Sequence, residues 1–199
     1  MPGQIAKLEA DKSQSYEEFA EEFLRVRNPS IGIVTVREWC RGLARGAAVL
    51  DLGCGNGVPI SQVLIEAEFS VYGVDASRKM IHAFRERFPQ AQSEWCAVED
   101  SGFFDRTFDG IVAWGLLFLL PEATQAAVMV KVAKALNPGG LFLFTAPLAA
   151  VRWKDSITKI ESVSLGKDSY EKLLRSQEVN LLGNALDEGG NHYYFCRKT

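Results

Sequence analysis

The spacing of apolar and polar positions changes twice along the chain. Over residues 13–27, Tyr16, Phe19, Ala20, Phe23 and Leu24 fall at helical spacing with Glu17, Glu18, Glu21 and Glu22 between them, which predicts an amphipathic helix. Asn28-Pro29 ends that pattern, and Ser30 is placed to cap a second helix to about Leu43. From Ala47 onward, short apolar runs alternate with helical ones. Strands are predicted at 48–52, 69–74 (closed by Asp75), 94–98, 108–114 and 141–145, and helices at 59–67, 77–88 and 121–136. The helix at 121 has proline in its first turn, and Asn137-Pro138-Gly139-Gly140 is a turn by composition. Strands this short, this apolar and separated by helices predict a parallel sheet covered on both faces. Beyond Pro147 the rhythm breaks. Residues 149–164 have mixed polarity and no clean period, so they read as an insertion able to cover a site. A helix over 167–176 follows. Then 179–186 and 192–196 flank Asp187-Glu188-Gly189-Gly190, a hairpin whose last strand must run antiparallel to its neighbour.

Composition narrows the class. A chain of 199 residues, 47% hydrophobic, can bury one substantial core. One domain is expected, with a helical cap over 1–45, a core over 46–148 and a terminal part over 149–199. The net charge of -3 argues against holding a nucleic-acid backbone. Cys40, Cys54, Cys96 and Cys196 are scattered without metal-ligand spacing, so they are expected to be reduced thiols, with no disulfide and no metal. The polar start of the chain lacks a signal-peptide pattern, and no apolar run approaches a membrane span. A cytoplasmic protein, monomeric or weakly dimeric, is expected.

The candidate chemistry starts in Val49-Leu50-Asp51-Leu52-Gly53-Cys54-Gly55-Asn56-Gly57. An apolar strand runs into alternating glycines, which let the backbone turn sharply and approach a ligand with no Cβ in the way. A dinucleotide fingerprint requires a glycine where Val58 stands, and Asp51 would repel a pyrophosphate. A nucleoside-type ligand without a pyrophosphate fits better. Asp75 follows Gly55 by 20 residues, the spacing that sets a carboxylate beside a ribose lying over the glycine loop.

These residues resemble the class I S-adenosylmethionine-dependent methyltransferases. The nine-residue run ending at Gly57 is similar to the family's first motif. VYGVDAS (71–77) is similar to the second, FDGIVAWG (108–115) to the fourth-strand motif, and LNPGGLFLFTAP (136–147) to the fifth. The resemblance implies an α/β fold, a three-layer αβα sandwich around a doubly wound, Rossmann-like seven-stranded sheet of order 3-2-1-4-5-7-6 with only strand seven antiparallel. It implies S-adenosylmethionine as cofactor, S-adenosylhomocysteine as product and a small-molecule acceptor. The methionyl part of the cofactor is then expected near Asp51, Gly53 and Gly55, with Cys54, Asn56 and Gly57 completing the loop and Asp75 on the ribose. The aspartate that often ends strand three is replaced by Ala97. Adenine recognition therefore falls to the backbone of Val98 and Glu99, with Ala76 or Met80 against the ring. Trp114 is either a wall of the transfer site or a core aromatic. Residues 116–120 are either buried surface or the floor of an apolar pocket. Tyr16, Phe19 and Phe23 form either a lid or plain packing, and His192 is either a general base or structural. Arg25, Arg27, Arg152 and Trp153 are candidate substrate contacts. The alternative function is a cofactor-binding regulatory or interaction module without transfer activity.

Overall fold

The computed structural model describes residues 11–26 and 28–199. Seven strands form one sheet. They are β1 (Ala48–Leu52), β2 (Ser70–Asp75), β3 (Gln92–Trp95), β4 (Phe108–Ala113), β5 (Leu136–Thr145), β8 (Val179–Leu186) and β9 (His192–Lys198), in the order β3-β2-β1-β4-β5-β9-β8. β1 lies parallel to β2 on one side (Asp51↔Gly73) and to β4 on the other (Asp51↔Val112). β9 runs antiparallel to both β5 and β8. This is the expected strand order, with the antiparallel strand where the terminal hairpin places it.

Alternating residues along each strand feed two apolar layers. Leu50, Tyr72, Ile111 and Phe142 face the layer holding α5 (Glu122–Ala135) and α6 (Lys167–Arg175). Val49, Val71, Val112 and Leu143 face α2 (Ile33–Cys40) and α3 (Ile60–Glu66). A sheet buried on both faces needs apolar side chains at every position, so its strands read as unbroken runs. β1 is buried along its whole length, and each fully buried leucine in it contributes about 1.5–3 kcal/mol. α4 (Arg78–Arg87) adds Ile81 and Phe84 beside Phe88 and Cys54 under the loop after β1.

Five expectations need correction. Asn137-Pro138-Gly139-Gly140, expected as a turn, belongs to β5, and α2 begins at Ile33 behind Gly32 rather than under a Ser30 cap. The helix expected over 13–27 is confined to α1 (Ala20–Val26); residues 12–19 form successive turns, with Gln14 and Ser15 at positive φ and Asp11 accepting from the N–H groups of Ser13 and Ser15. β3 lies two residues earlier than expected, because it stops where its partner β2 stops (Asp75↔Trp95). The apolar run Cys96-Ala97-Val98 is a loop buried against the sheet end, not a strand. The insertion is ordered as an antiparallel hairpin, β6 (Ala150–Lys154) and β7 (Glu161–Leu165), paired from Ala150↔Leu165 to Lys154↔Glu161.

Candidate functional site

β1 is where the strand order reverses, with β2 to one side and β4 to the other. In an open α/β sheet the segments leaving the carboxyl ends of such strands diverge and leave a crevice. A cavity of about 300 Å³ lies there, lined by Gly53 and Gly55 after β1, Asp75 and Ala76 at the end of β2, Val98 and Glu99 after β3, and Trp114, Gly115 and Leu116 after β4. Met80 of α4 lines it too, as do Phe118, Leu119 and Leu120. Lys12, Ser13, Gln14 and Tyr16 close one side, and Asp155, Ser156 and Ile157 from the tip of the β6–β7 hairpin close another.

The loop after β1 uses its glycines in two different ways. A Cβ on Gly57 would lie 2.5 Å from the Phe88 ring, and one on Gly53 3.0 Å from Leu116. Those two positions are glycine because the protein itself approaches closely. At Gly55, with φ +54, an added Cβ would meet only Met80 Sδ at 3.9 Å. Here the absent side chain leaves a cradle open to the cavity. Asp75 fixes that cradle, since its Oδ2 accepts from Gly55 N–H at 2.8 Å and its Oδ1 from Ser77 N–H at 2.8 Å.

Several expected site residues serve the loop rather than line the cavity. Asp51 is buried on the α3 side of the sheet, where it accepts from Ser61 Oγ at 2.6 Å. Asn56 turns its Oδ1 back to Val58 N–H. Cys54 is buried beside Gly73, and burial pushes its thiol well above the ordinary cysteine range. Gly57 sits against Phe84 and Phe88. His192 begins β9, where its carbonyl accepts from Ala146 N–H, and it is not among the cavity-lining residues. Phe19 and Arg25 lie in a surface groove with Lys79. Arg152 ion-pairs with Glu122 and Glu161, and Trp153 lies 5.4 Å from the Phe118 ring. The Phe23 side chain and Arg27 fall outside the described residues.

Trp114 both lines the cavity and anchors to the fold: its Nε1–H donates to Tyr193 Oη, which donates to Asp187 Oδ2 at 2.9 Å. Tyr193 is fully buried, and burial pushes its phenol far above the ordinary tyrosine range, so it stays a neutral donor. The sequence reading did not single out Asp155 or the segment Lys12–Gln14. A signal for the first was present: Asp155 stands two and three residues before Ile157 and Thr158, whose N–H groups it accepts, the local turn that short polar side chains make. Among the described residues no group of three or more His, Cys, Asp or Glu side chains is placed to hold a metal ion, and no helix is long and apolar enough to cross a membrane.

Residues 49–140 match the family described as methyltransferase domain. That match spans just under half of the chain, whose sheet has the class I methyltransferase fold. The match contains the glycine loop, Asp75 and Trp114, so it covers the sheet end where the cavity opens. Mouse glycine N-methyltransferase is 30% identical over 128 residues, 54% of this chain and 43% of that protein; the chain thus matches less than half the length of that relative. Among solved structures, a 1,6-didemethyltoxoflavin-N1-methyltransferase of Burkholderia thailandensis superposes with a TM-score of 0.74 at 17% identity, covering 93% of this chain and 84% of that one. A magnesium protoporphyrin IX methyltransferase of Synechocystis superposes at 0.73 and 16% identity over 98% and 99%. Those likenesses show the methyltransferase fold.

Proposed function

We propose that the protein transfers a methyl group from S-adenosylmethionine to a small-molecule acceptor by direct in-line displacement. The observation that carries this reading is the cradle at Gly55, open to the cavity and held by Asp75, within a methyltransferase domain. The cofactor would supply an activated methyl group, its bonding pair staying on sulfur so that the sulfonium becomes a neutral thioether. Gly55 offers close backbone approach to the methionyl portion, and Asp75 offers acceptor oxygens to the ribose hydroxyls. Charge-assisted bonds of that kind are roughly twice as strong as neutral ones. Val98, Met80 and Ala76 give the base an apolar slot. Glu99 Oε2, shielded from solvent and without a hydrogen-bond partner among the described residues, is suited to the exocyclic amine that Ala97 leaves unread.

The remaining work of the protein is positioning. Holding acceptor and methyl in line is worth roughly 7–11 kcal/mol of effective molarity, and it needs no nucleophile from the protein. Trp114, fixed through Tyr193 and Asp187, is a rigid wall for that alignment. A small acceptor is favoured because Tyr16 and Ile157 both line the cavity from segments outside residues 49–140, bounding the space beside the cradle from two sides. The test is formation of S-adenosylhomocysteine from S-adenosylmethionine with a panel of small amines, phenols, thiols and carboxylic acids. Acceptor-dependent product is expected, and Trp114→Ala should lower turnover more than cofactor affinity. Cofactor binding with no product across the panel would favour a binding module instead.

A further inference from the structure

The cavity has a second end, built by the part of the chain outside the matched domain, and its chemistry selects an acceptor class. This step rests on the transfer reading. Asp155 sits at the tip of the β6–β7 hairpin and lines the cavity with Ile157, in the company of Trp114, Leu116, Phe118 and Leu119. Its Oδ1 accepts three donors, Ile157 N–H at 2.9 Å, Thr158 N–H at 2.7 Å and Thr158 Oγ1 at 3.1 Å, whereas Oδ2 makes no hydrogen bond among the described residues. The turn is thus held by one oxygen of the carboxylate and leaves the other available.

The hairpin that presents this group is tied down. Gln125, fully buried, donates to Leu120 O and to Val163 O at 2.8 Å each, joining β7 to the segment after β4. Tyr170 Oη donates to Gln125 Oε1 and accepts from Leu165 N–H, and Ser164 Oγ donates to Pro147 O. A site carried on a rigid, hydrogen-bonded element is held more closely than one on a free loop. The other charges lining the cavity are already engaged or belong to the cofactor end. Lys12 ion-pairs with Asp100 and lies 3.9 Å from Glu99, and Asp75 holds the glycine loop. An acidic acceptor would find no unengaged cation among the described lining residues and, at the hairpin end, a carboxylate oxygen, Asp155 Oδ2, that makes no hydrogen bond among them.

We propose that Asp155 is an acceptor-recognition residue and that the acceptor is a small, largely apolar amine, its nitrogen bound by Asp155 Oδ2 and its body by Trp114, Phe118, Leu119 and Ile157. The carboxylate orients the nitrogen; the ammonium proton is lost to solvent before the neutral amine forms its bond to the methyl carbon as the carbon–sulfur bond breaks.

The experiment uses three probes that share a phenethyl body, phenethylamine, 2-phenylethanol and 3-phenylpropanoate, titrated calorimetrically into full-length protein saturated with S-adenosylhomocysteine. Asp155→Asn is the informative variant, because the amide oxygen can still take the three turn bonds while the charge is lost. Glu161→Gln is the control, removing a charge from the same hairpin outside the cavity lining. Phenethylamine is expected to bind wild type at least about ten-fold more tightly than 3-phenylpropanoate, the worth of one charge-assisted hydrogen bond. Asp155→Asn should erase that preference with affinity for S-adenosylhomocysteine within about two-fold of wild type, and Glu161→Gln should keep it. Equal or acid-favouring binding, no binding of any probe, or a preference that survives Asp155→Asn would overturn the assignment. Failure of S-adenosylhomocysteine itself to bind is read before any probe is added, and counts against the transfer reading.

Discussion

Gly55 and Gly57 stand two residues apart with positive φ, yet alanine at each should do opposite things. Placing an L side chain in the left-handed region costs about 1–2 kcal/mol at either position. At Gly57 the new methyl group would also sit 2.5 Å from Phe88 and 2.9 Å from Phe84, and overpacking adds roughly 1–3 kcal/mol. Gly57→Ala should therefore show its effect in urea unfolding. At Gly55 nothing in the protein obstructs the methyl, which would enter the cradle instead. Gly55→Ala should lose only the backbone cost in stability, while its affinity for S-adenosylhomocysteine falls at least about ten-fold, or 1.4 kcal/mol. Similar affinity in both variants would remove the cradle from the site. The sequence pattern marks all three loop glycines alike, since each satisfies the same turn. Which one faces a ligand depends on Phe84, Phe88 and Leu116, which pack against the loop from 27 or more positions away in the chain.

At the scale of elements, the parallel strands were legible because each is a short apolar run. The edge strand was not. Gln92–Trp95 has no buried residue, only Ser93 and Glu94 half-buried between exposed ends, so the adjacent buried loop carried the stronger apolar signal. The amphipathic spacing of residues 13–27 suggested a helix throughout, but Asp11 and Ser13 accept backbone donors locally and hold residues 12–19 in turns. That choice has a consequence for binding, because the turns bring Glu17 to the start of α4. Glu17 Oε2 accepts from Ser77 Oγ at 2.7 Å and from Lys79 N–H at 3.1 Å, and the positive end of a helix dipole favours such an anion. Partial burial opposes the charged form of Glu17, but the Ser77 and Lys79 donors outweigh it and hold the carboxyl below the ordinary 4.5. A depressed pKa means the tether is complete above pH 4.5 and is lost as pH falls through the lower folded value. Residues of this segment line the cavity, so Glu17→Gln should weaken S-adenosylhomocysteine binding about two- to five-fold at pH 7, matching a helix-end charge interaction. The gap to wild type should close as the pH is taken below 4.5. Equal affinity at pH 7 would show that the tether does not reach the site.

The whole molecule joins a recognisable scaffold to segments whose roles depend on tertiary placement. The antiparallel terminal strand and the carboxylate ending β2 could be read from spacing, because local pattern and chain connectivity dictate each, whereas the sheet order came with the family resemblance. The far wall of the cavity could not be. Asp155 reaches it only because Gln125, Tyr170 and Ser164 fasten the hairpin across the end of the sheet, and none of those contacts leaves a periodic trace. The scaffold reading makes a prediction about global stability that is independent of the acceptor. A ligand bound only by the folded state stabilises it by RT ln(1 + [L]/Kd), about 2.7 kcal/mol at one hundred times Kd. For a chain of this length each kcal/mol moves the midpoint by roughly 2–4 °C. Scanning calorimetry with S-adenosylhomocysteine at that saturation should therefore raise Tm by about 5–10 °C. NADH at the same concentration should leave it unmoved, because the loop lacks the third glycine and carries Asp51. Asp75→Ala should abolish most of the shift at the same ligand concentration, since it removes both the ribose acceptor and the bond that fixes Gly55. A shift with NADH and none with S-adenosylhomocysteine would mean that the cradle was built for a pyrophosphate after all.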